Sequence, residues 1–286
     1  MESPPRISQE VAMAIITVSR QLASLGDEIS VALAKKLGYT YFGKKEIENR
    51  IVELGFPASK LAKFDERKLG FLAALTRGRD DYLNYLQTAI FEAASENNCV
   101  IVGRGSFIIL KDLENHVSCR FIADEKMRSE RLQKELHCDA KTAAKKIAES
   151  ESQQRGFHKG FFNFDINDPA MFHLIVNTAM LDVDSIAASI MALTEKCVTP
   201  EKDAESMRKI EELLIGQRIV NMLMFDYNLN INFLRTSMDG KKITLHGVAE
   251  SSDIIERALT IVACEIPDYE IVSAISVVQD FKTYGR

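Results

Sequence analysis

The sequence predicts an α/β fold in which a doubly wound parallel sheet is followed by a small α+β domain. Up to about Lys196, short apolar runs alternate with amphipathic helical patterns, which is typical of a parallel sheet covered by helices. A polar, proline-bearing stretch then interrupts this pattern. Beyond it, two alternating strand patterns meet at Asp239-Gly240, a pair favoured in tight hairpin turns. We therefore predict domains over residues 11–197 and 205–283, joined by a linker at 198–204.

The elements of the first domain follow from its hydrophobic periodicity. Near-continuous apolar runs indicate buried strands, and apolar residues at helical spacing indicate helices. The predicted strands cover residues 14–19, 99–102, 117–123 and 172–177. The predicted helices cover residues 28–37, 80–97, 125–136, 140–154 and 185–195.

The second domain has a different order of elements. A helix at 207–225 leads to strands at 231–235 and 242–248. A further helix follows, because Asp253 and Glu256 have the spacing of a capping box before an apolar face. A last strand at 271–278 completes a helix–strand–strand–helix–strand order, which we write αββαβ.

Composition excludes several classes of protein. The 286 residues carry a formal net charge of −5, so no global field favours nucleic acid or an anionic membrane. The five cysteines are widely spaced and form no C-x-x-C pair, which favours reduced thiols over a disulfide or zinc framework. The first apolar run, from Val11, is too short to span a bilayer. We therefore expect a cytoplasmic protein with no membrane span and no metal site built from histidine or cysteine.

The first predicted strand passes into a polar loop and then into a helix, the layout in which phosphate-binding loops are built. In such loops, glycines let backbone N–H groups close around phosphate and a lysine neutralises its charge. Here Gly26 is retained, Ala23 and Leu25 stand beside it, and Asp27 occupies a place where a lysine could stand. The loop thus has the position of a phosphate site with part of its chemistry changed.

Short motifs recur in order along residues 14–195. They lie at 16–21 with Gly26, at 33–39, at 100–105, at Arg128 with Arg131, at Arg155 with Phe157, and at 176–178. Together they resemble the cytidylate kinase-like branch of the P-loop nucleotide kinases. The resemblance implies a doubly wound sheet that binds ATP with magnesium at the first strand–helix turn. It also implies phosphate transfer to a nucleotide or another small phosphorylated acceptor in a facing cleft.

The resemblance also assigns site residues. Phosphoryl transfer is catalysed mainly by positioning and by neutralising charge, so the site needs several cations. The residues implied to bind nucleotide or phosphate are Arg20, Ser24, Gly26, Asp27, Glu28, Gly103 and Arg104. The residues implied to be catalytic are Arg128, Arg131 and Arg155.

Plainer explanations stay open for several of these residues. Arg104 follows a strand at the edge where ligands bind in open sheets, but a solvent-facing turn arginine would have the same position. Arg128 and Arg131 lie three residues apart, which also fits a solvated helix face. The glycine-bearing segment 154–160 fits either a mobile lid or a plain helix end. Asp27 fits a helix cap.

Four positions depart from the family pattern. Ala23 and Leu25 replace glycines, and a side chain there costs energy where the loop needs left-handed backbone. Gly43 replaces an aspartate that follows the second strand. The uncharged Gln153 lies in a segment that lacks the acidic residue usual before the lid arginine. The alternative is therefore a non-catalytic, nucleotide-sensing or regulatory protein.

The tail, over about residues 205–281, resembles a BON domain in its Asp239-Gly240 turn, its strand at 243–248 and the spacing of the last helix and strand. That resemblance implies binding to a protein or a lipid surface and carries no catalytic motif. Because no secretion signal is visible, we expect a protein partner and no nucleic acid partner. The features are compatible with an oligomer.

Overall fold

The computed structural model of the chain describes residues 13–61, 64 and 78–278, which form two compact units divided between Lys209 and Ile210. The predicted domain limits at residues 11 and 283 lie outside the described residues. No helix in this part of the chain combines the length and the apolar character needed to cross a membrane.

The first unit is built on a parallel sheet of five strands in the order β2-β3-β1-β4-β5. The strands are β1 Ile15–Arg20, β2 Thr40–Phe42, β3 Cys99–Val102, β4 His116–Ile122 and β5 Leu174–Asn177. The helices are α1 Gly26–Leu37, α2 Lys44–Glu53, α3 Ala58–Leu61, α4 Arg79–Ser95, α5 Ser106–Ile109, α6 Glu125–Leu136, α7 Ala140–Phe162 and α8 Val183–Cys197. The predicted α/β class with a parallel sheet is confirmed.

Burial explains which strands the sequence reveals. β1 and β3 are almost wholly buried, so they are near-continuous apolar runs. Side chains from α1 and α8 pack with the strands in one core, which includes Ile16, Val18, Leu33 and Ile190. β2 escapes prediction because it has three residues and one buried position, too few to show a period.

Helix α7 is longer than its apolar periodicity predicts. It runs over 23 residues to Phe162, and the segment 154–160 is helical and lies in its last turns, while a lid role for this segment stays a prediction. Gly156 and Gly160 lie inside the helix although glycine disfavours helix interiors. Burial of Phe157 and Phe161 anchors this part of the helix and compensates for the glycines.

The amino-terminal edge of the sheet is closed by polar contacts to helix α9, Pro200–Asn221. The Asp203 carboxylate accepts hydrogen bonds from the side-chain amides of Asn97 at 2.9 Å and Asn115 at 2.8 Å. The Ser206 hydroxyl accepts one from the Asn115 backbone N–H at 2.9 Å. Asn97 and Asn115 lie just before β3 and β4. Helix α9 begins at Pro200, within the predicted linker 198–204. Asp203, one of the polar residues that suggest a linker, is thus a buried hydrogen-bond partner of the sheet.

The second unit contains a small mixed sheet of order β6-β7-β8. Its elements are β6 Ile231–Asp239, β7 Lys242–Ala249, α10 Ser252–Glu265 and β8 Glu270–Val277. β6 and β7 are antiparallel around Gly240, whose φ of 57° suits the turn, while β7 and β8 are parallel across α10. The αββαβ order therefore matches the prediction. The capping box predicted at Asp253 and Glu256 is wrong, because Ser251 is the N-cap and its side chain makes no capping hydrogen bond.

Candidate functional site

A cavity of about 450 Å³ opens at the carboxyl ends of β1 and β3. Its wall is formed by the β1–α1 loop, the start of α1, the end of β3, and residues of α6 and α7. Ligands of open α/β sheets bind at this edge, because loops and helix N-termini converge there. Of the predicted phosphate-binding residues, the cavity brings together Arg20, Ser24, Gly26, Asp27, Glu28, Gly103 and Arg104.

The β1–α1 loop keeps left-handed backbone at both positions where the resemblance expects glycine. Ala23 has a φ of 60° and Leu25 a φ of 58°. Left-handed geometry costs a residue with a side chain roughly 1–2 kcal/mol. The surroundings thus hold the loop in a strained shape, which is common at functional sites.

Helix α1 begins at this loop without a side-chain cap. Leu25 is the N-cap residue, and its side chain makes no capping hydrogen bond to the first helical N–H groups. Those N–H groups have no partner inside the helix, so the helix start attracts anions. Gly26 is required here because a Cβ atom would lie 2.4 Å from Cβ of Arg20. The prediction of Asp27 as the cap is wrong, since Asp27 lies one residue inside the helix.

Ser24 is buried in the loop and braces it internally. Its hydroxyl donates a hydrogen bond to the carbonyl of Gln21 at 2.8 Å, and its backbone N–H points to the same oxygen at 3.3 Å. Gln21 in turn accepts at its side chain from the N–H of Ala123, at 3.2 Å. These bonds fix the loop against the end of β4.

Arg20 and Asp27 form an ion pair across the loop, with Arg20 Nε 3.0 Å from Asp27 Oδ1. The carboxylate also lies in the first turn of α1, where the helix dipole favours negative charge. Glu28 adds a second carboxylate to the cavity wall. An incoming phosphate must therefore compete with Asp27 for both the guanidinium and the helix start.

Arg104 follows β3 as predicted, in a turn of three consecutive left-handed residues. Gly103, Arg104 and Gly105 have φ values of 78°, 57° and 70°. The Arg104 side chain is buried, so the solvent-facing alternative is wrong. Its guanidinium pairs with Glu48 and donates to the Tyr82 hydroxyl at 3.3 Å, so it is held by partners within the protein.

Arg128 and Arg155 do not line the cavity; both pair with Glu151. Arg128 is buried, so it does not belong to a solvated helix face, and its Nη2 lies 2.8 Å from Glu151 Oε1. Arg155 is 52% exposed and lies 3.9 Å from the other oxygen of Glu151. Glu151 stands one residue before the segment 152–154, where the family's acidic residue is missing. The sequence therefore offers a carboxylate for these arginines four residues before Arg155.

Arg131 contacts the loop from outside the cavity. Its guanidinium donates to the carbonyl of Ala23 at 3.3 Å, to the hydroxyl of Thr178 at 3.1 Å and to the carbonyl of Thr178 at 2.8 Å. Thr178 follows β5. Arg131 thus ties the strained part of the loop to the connection after β5.

Two further cations of the cavity wall, Lys44 and Lys146, are not among the predicted site residues. Lys44 begins α2 just after β2, so its place at the carboxyl edge of a strand could have indicated it. Lys146 lies on α7, and nothing in the sequence around it distinguishes it from the neighbouring surface lysines. The wall also holds Glu135 and Glu149, so four cations face four carboxylates there.

A third missed residue is Arg120, which is buried within β4. A charged residue inside the apolar run of that strand was the available signal. Burial lowers the pKa of Arg120, although the charges of Asp165 and Glu151 favour its cationic form. Arg120 is not among the residues of the cavity wall.

Two buried cysteines and one buried histidine of the first unit have strongly shifted pKa values. No group of three or more His, Cys, Asp or Glu side chains in the described part of the chain could hold a metal ion. Burial raises the pKa of the Cys99 and Cys119 thiols to about 12, so neither is a thiolate near neutral pH. Burial lowers the pKa of His116 to about 3, and its Nε2 lies 2.6 Å from the Thr17 hydroxyl.

Comparison with known proteins gives a family match over residues 15–180, to the model described as the Cytidylate kinase-like family. The cytidylate kinase of Methanocaldococcus jannaschii is 29% identical over 97 residues, which cover 33% of this chain and 54% of that protein. The cytidylate kinase of Pyrococcus horikoshii is 32% identical over 120 residues, covering 42% and 61%. The match thus spans little more than half the length of these relatives.

Among solved structures, an uncharacterized protein from Eubacterium ventriosum shares the fold of the first unit. It superposes with a TM-score of 0.53 at 19% identity, and the match covers 64% of this chain and 98% of that one.

Proposed function

The chain belongs to the cytidylate kinase-like family, and we propose that its first unit transfers a phosphoryl group from ATP to a small phosphorylated acceptor. Nucleoside monophosphates are the first acceptors to test. The proposal concerns a chain whose match spans about half of each curated relative, so the substrates are part of the proposal.

One observation carries this proposal: the uncapped start of α1 opens, through a left-handed loop, into a cavity that also receives several cations. The free N–H groups of a helix start bind phosphate oxygens. Arg20, Lys44, Arg104 and Lys146 supply positive charge on the same wall. The cavity, at about 450 Å³, lies within the usual range of ligand sites.

The donor phosphates are assigned to the loop, with Gly26 and Ser24 at the helix start and Arg20 beside them. Arg104 and the backbone of Gly103 face them from the end of β3. Arg128, Arg131 and Arg155 are proposed to act around the transferred group, Arg131 by holding the loop carbonyl of Ala23 in place.

Magnesium fits the donor set of this wall. Mg²⁺ is usually held by one or two carboxylates together with substrate phosphates, and Asp27 and Glu28 offer exposed carboxylates at the loop. When bound with ATP, the ion neutralises phosphate charge. To bind the ion, Asp27 would have to give up its ion pair with Arg20. The Arg20 guanidinium would then be available to the nucleotide.

A second candidate function is a non-catalytic, nucleotide-responsive protein. The observation that favours it is that the candidate arginines are already occupied by carboxylates of the protein: Arg20 by Asp27, Arg104 by Glu48, and Arg128 and Arg155 by Glu151. Each pair must open before the guanidinium can bind phosphate. Such a site favours weak or regulated nucleotide binding over rapid turnover.

Calorimetric titration with MgATP, followed by a coupled assay across nucleoside monophosphates, tests both candidates. We expect MgATP to bind, and Arg20→Gln to weaken binding several-fold. Arg50→Gln is the matched control, because Arg50 pairs with Glu92 and Glu96 and does not line the cavity. Binding with turnover supports the kinase, and binding without turnover supports the responsive protein. No binding by the wild-type protein would refute both.

For the second unit, we propose a partner-binding module in the cytoplasm, with a protein as the partner. The proposal rests on the αββαβ order of its elements and on the BON-like motifs of the sequence. All five cysteines are free thiols, as expected for a reducing compartment. Co-sedimentation with anionic lipid vesicles would contradict this choice of partner, and sedimentation analysis of the protein alone would give its oligomeric state.

A further inference from the structure

The two central strands of the first unit carry a stripe of buried polar side chains on one face. Ile16 and Val18 face the core under α1 and α8, so the alternating residues of β1 face the opposite side. On that side, Thr17 bonds to His116 at 2.6 Å and Ser19 to Arg120 at 3.0 Å. The polar stripe consists of Thr17, Ser19, His116, Ser118 and Arg120. A stripe of this kind demands an explanation, because buried polar groups cost free energy unless they are paired.

Arg120 is the charged member of the stripe, since His116 has its pKa lowered to about 3 by burial and is neutral. Three arginines are buried in the part of the chain that the structure describes, and two of them, Arg104 and Arg128, form ion pairs with glutamates. Arg120 has no carboxylate oxygen within 4.0 Å among the described residues. It is 6% exposed.

The partners of Arg120 are neutral. Its Nη1 donates to the Ser19 hydroxyl at 3.0 Å, and its Nη2 reaches the side-chain oxygen of Asn167 at 3.5 Å, the limit of a hydrogen bond. The ring of Phe172 lies under the guanidinium, 5.5 Å from its centre. A guanidinium has five N–H donors, so this set leaves its hydrogen-bonding capacity only partly used. Asn167 is exposed, and a stronger acceptor could replace it.

Arg120 lies directly behind the candidate site. Ser19 is the residue before Arg20, and Ser19 and Arg120 are aligned partners in the β1–β4 ladder. Helix α7 reaches the same place, since the Gln154 side-chain amide donates to the carbonyl of Arg20 at 3.1 Å. Gln154 and Arg20 both line the cavity. One residue of backbone therefore separates the cavity wall from the partner of Arg120.

A buried cation with no direct ion pair is costly even where the charges of Asp165 and Glu151 act on it from a distance, and replacing buried ionic groups by apolar residues of similar volume often leaves stability unchanged or raises it. Groups that reduce stability in this way are characteristic of binding and catalytic sites. The guanidinium matches phosphate oxygens in a bidentate arrangement, which neutral side chains do not provide.

We propose that Arg120, with Ser19, forms an oxyanion site that takes the phosphate group of the phosphorylated acceptor, displacing Asn167. The inference rests on the proposed function, because it names where the acceptor's phosphate binds. It assigns the donor phosphates to the loop and the acceptor phosphate to the buried arginine behind it.

Thermal unfolding of the full chain with and without inorganic phosphate tests this site, with chloride at equal ionic strength as the salt control. Without phosphate, we expect Arg120→Met to unfold at the same or a higher temperature than the wild type. We expect phosphate to stabilise the wild type and to bind Arg120→Met about tenfold more weakly or worse, as for the loss of a charge-assisted hydrogen bond. Arg120→Lys keeps the charge and should retain part of the effect.

Arg208→Met is the matched control, since it removes the same charge from an exposed arginine paired with Glu205. The proposal is overturned if Arg120→Met unfolds well below this control, because the arginine is then structural. It is also overturned if phosphate stabilises Arg120→Met as it does the wild type. MgATP titration of the same variants separates the two proposals: a wild type that binds phosphate through Arg120 but not MgATP refutes the kinase alone.

Discussion

Replacing Ala23 by glycine tests whether the phosphate loop holds strained backbone. Ala23 has a φ of 60°, in the left-handed region. Glycine adopts this region at no steric cost, so the substitution relieves roughly 1–2 kcal/mol in the folded state. The greater freedom of glycine in the unfolded chain offsets about 0.4–1 kcal/mol of that gain. We therefore expect the free energy of unfolding to rise by about 0.5–1 kcal/mol.

Thermal and urea unfolding measure this change directly. For a unit of this size the expected rise in Tm is about 1–4 °C. Ala188→Gly is the matched control, because Ala188 is exposed within α8, where the same substitution should cost about 1 kcal/mol. The two variants have the same amino-acid composition, and the predicted changes in their free energies of unfolding have opposite signs. A loss of stability in Ala23→Gly equal to that in the control would refute the left-handed geometry of the loop.

The same variant reports on phosphate binding. Removing the methyl group lets a phosphate approach the loop more closely, so calorimetry should show a higher affinity for MgATP. Leu25→Gly relieves a similar φ of 58° but removes a side chain that packs on the main core. The affinity of Leu25→Gly for MgATP should therefore rise, while its free energy of unfolding should not. A stabilised Ala23→Gly with unchanged MgATP affinity would show that the loop is not the phosphate cradle.

Three further changes test single interactions. Arg131→Met removes hydrogen bonds to two carbonyls and should lower the urea-derived free energy of unfolding by about 1–3 kcal/mol, whereas Lys134→Met on the exposed side of the same helix should not. Asp27→Asn frees the Arg20 guanidinium but removes a proposed magnesium ligand, so it should tighten the binding of ATP without magnesium about fivefold by calorimetry; an equal gain from the distant, exposed Asp184→Asn would contradict this. In the folded protein, burial lowers the pKa of His116 to about 3, so its ring stays neutral. In the unfolded chain the same ring takes up a proton when the pH falls below its ordinary pKa of 6.5. Stability should therefore fall between pH 6.5 and 3 by up to about 1.4 kcal/mol per unit, and urea titrations of His116→Asn should show a shallower slope.

Burial on both faces made the parallel sheet readable from the sequence. β3 was predicted at its observed limits, 99–102, because every residue in it is buried and apolar. The limits of α7 were not readable, because Gly156 and Gly160 suggest an end that aromatic burial overrides. Propensity is a local quantity, and packing against the sheet decides such cases.

The candidate site was predictable in position and not in its pairing. Arg104 was placed correctly at the end of β3, since strand ends and flanking glycines are local features. Its partner Glu48 is 56 residues away in the chain, and no periodicity connects them. Arg120 was missed because its neighbours in β4 identify a buried strand, and a strand pattern does not assign a function to a charged residue within it.

The hydrogen bonds of Asp203 and Ser206 at the amino-terminal edge of the sheet determine where this chain can be divided. A first unit ending at residue 197 would lose Asp203 and Ser206, leaving the side-chain amide and backbone N–H of Asn115 without these acceptors. Each unsatisfied buried group costs about 1–3 kcal/mol. The independently stable piece must extend past Ser206, into the middle of α9. A break at the apparent domain border, after residue 197, would thus destabilise the first unit, whereas a break after Lys209 would keep these contacts.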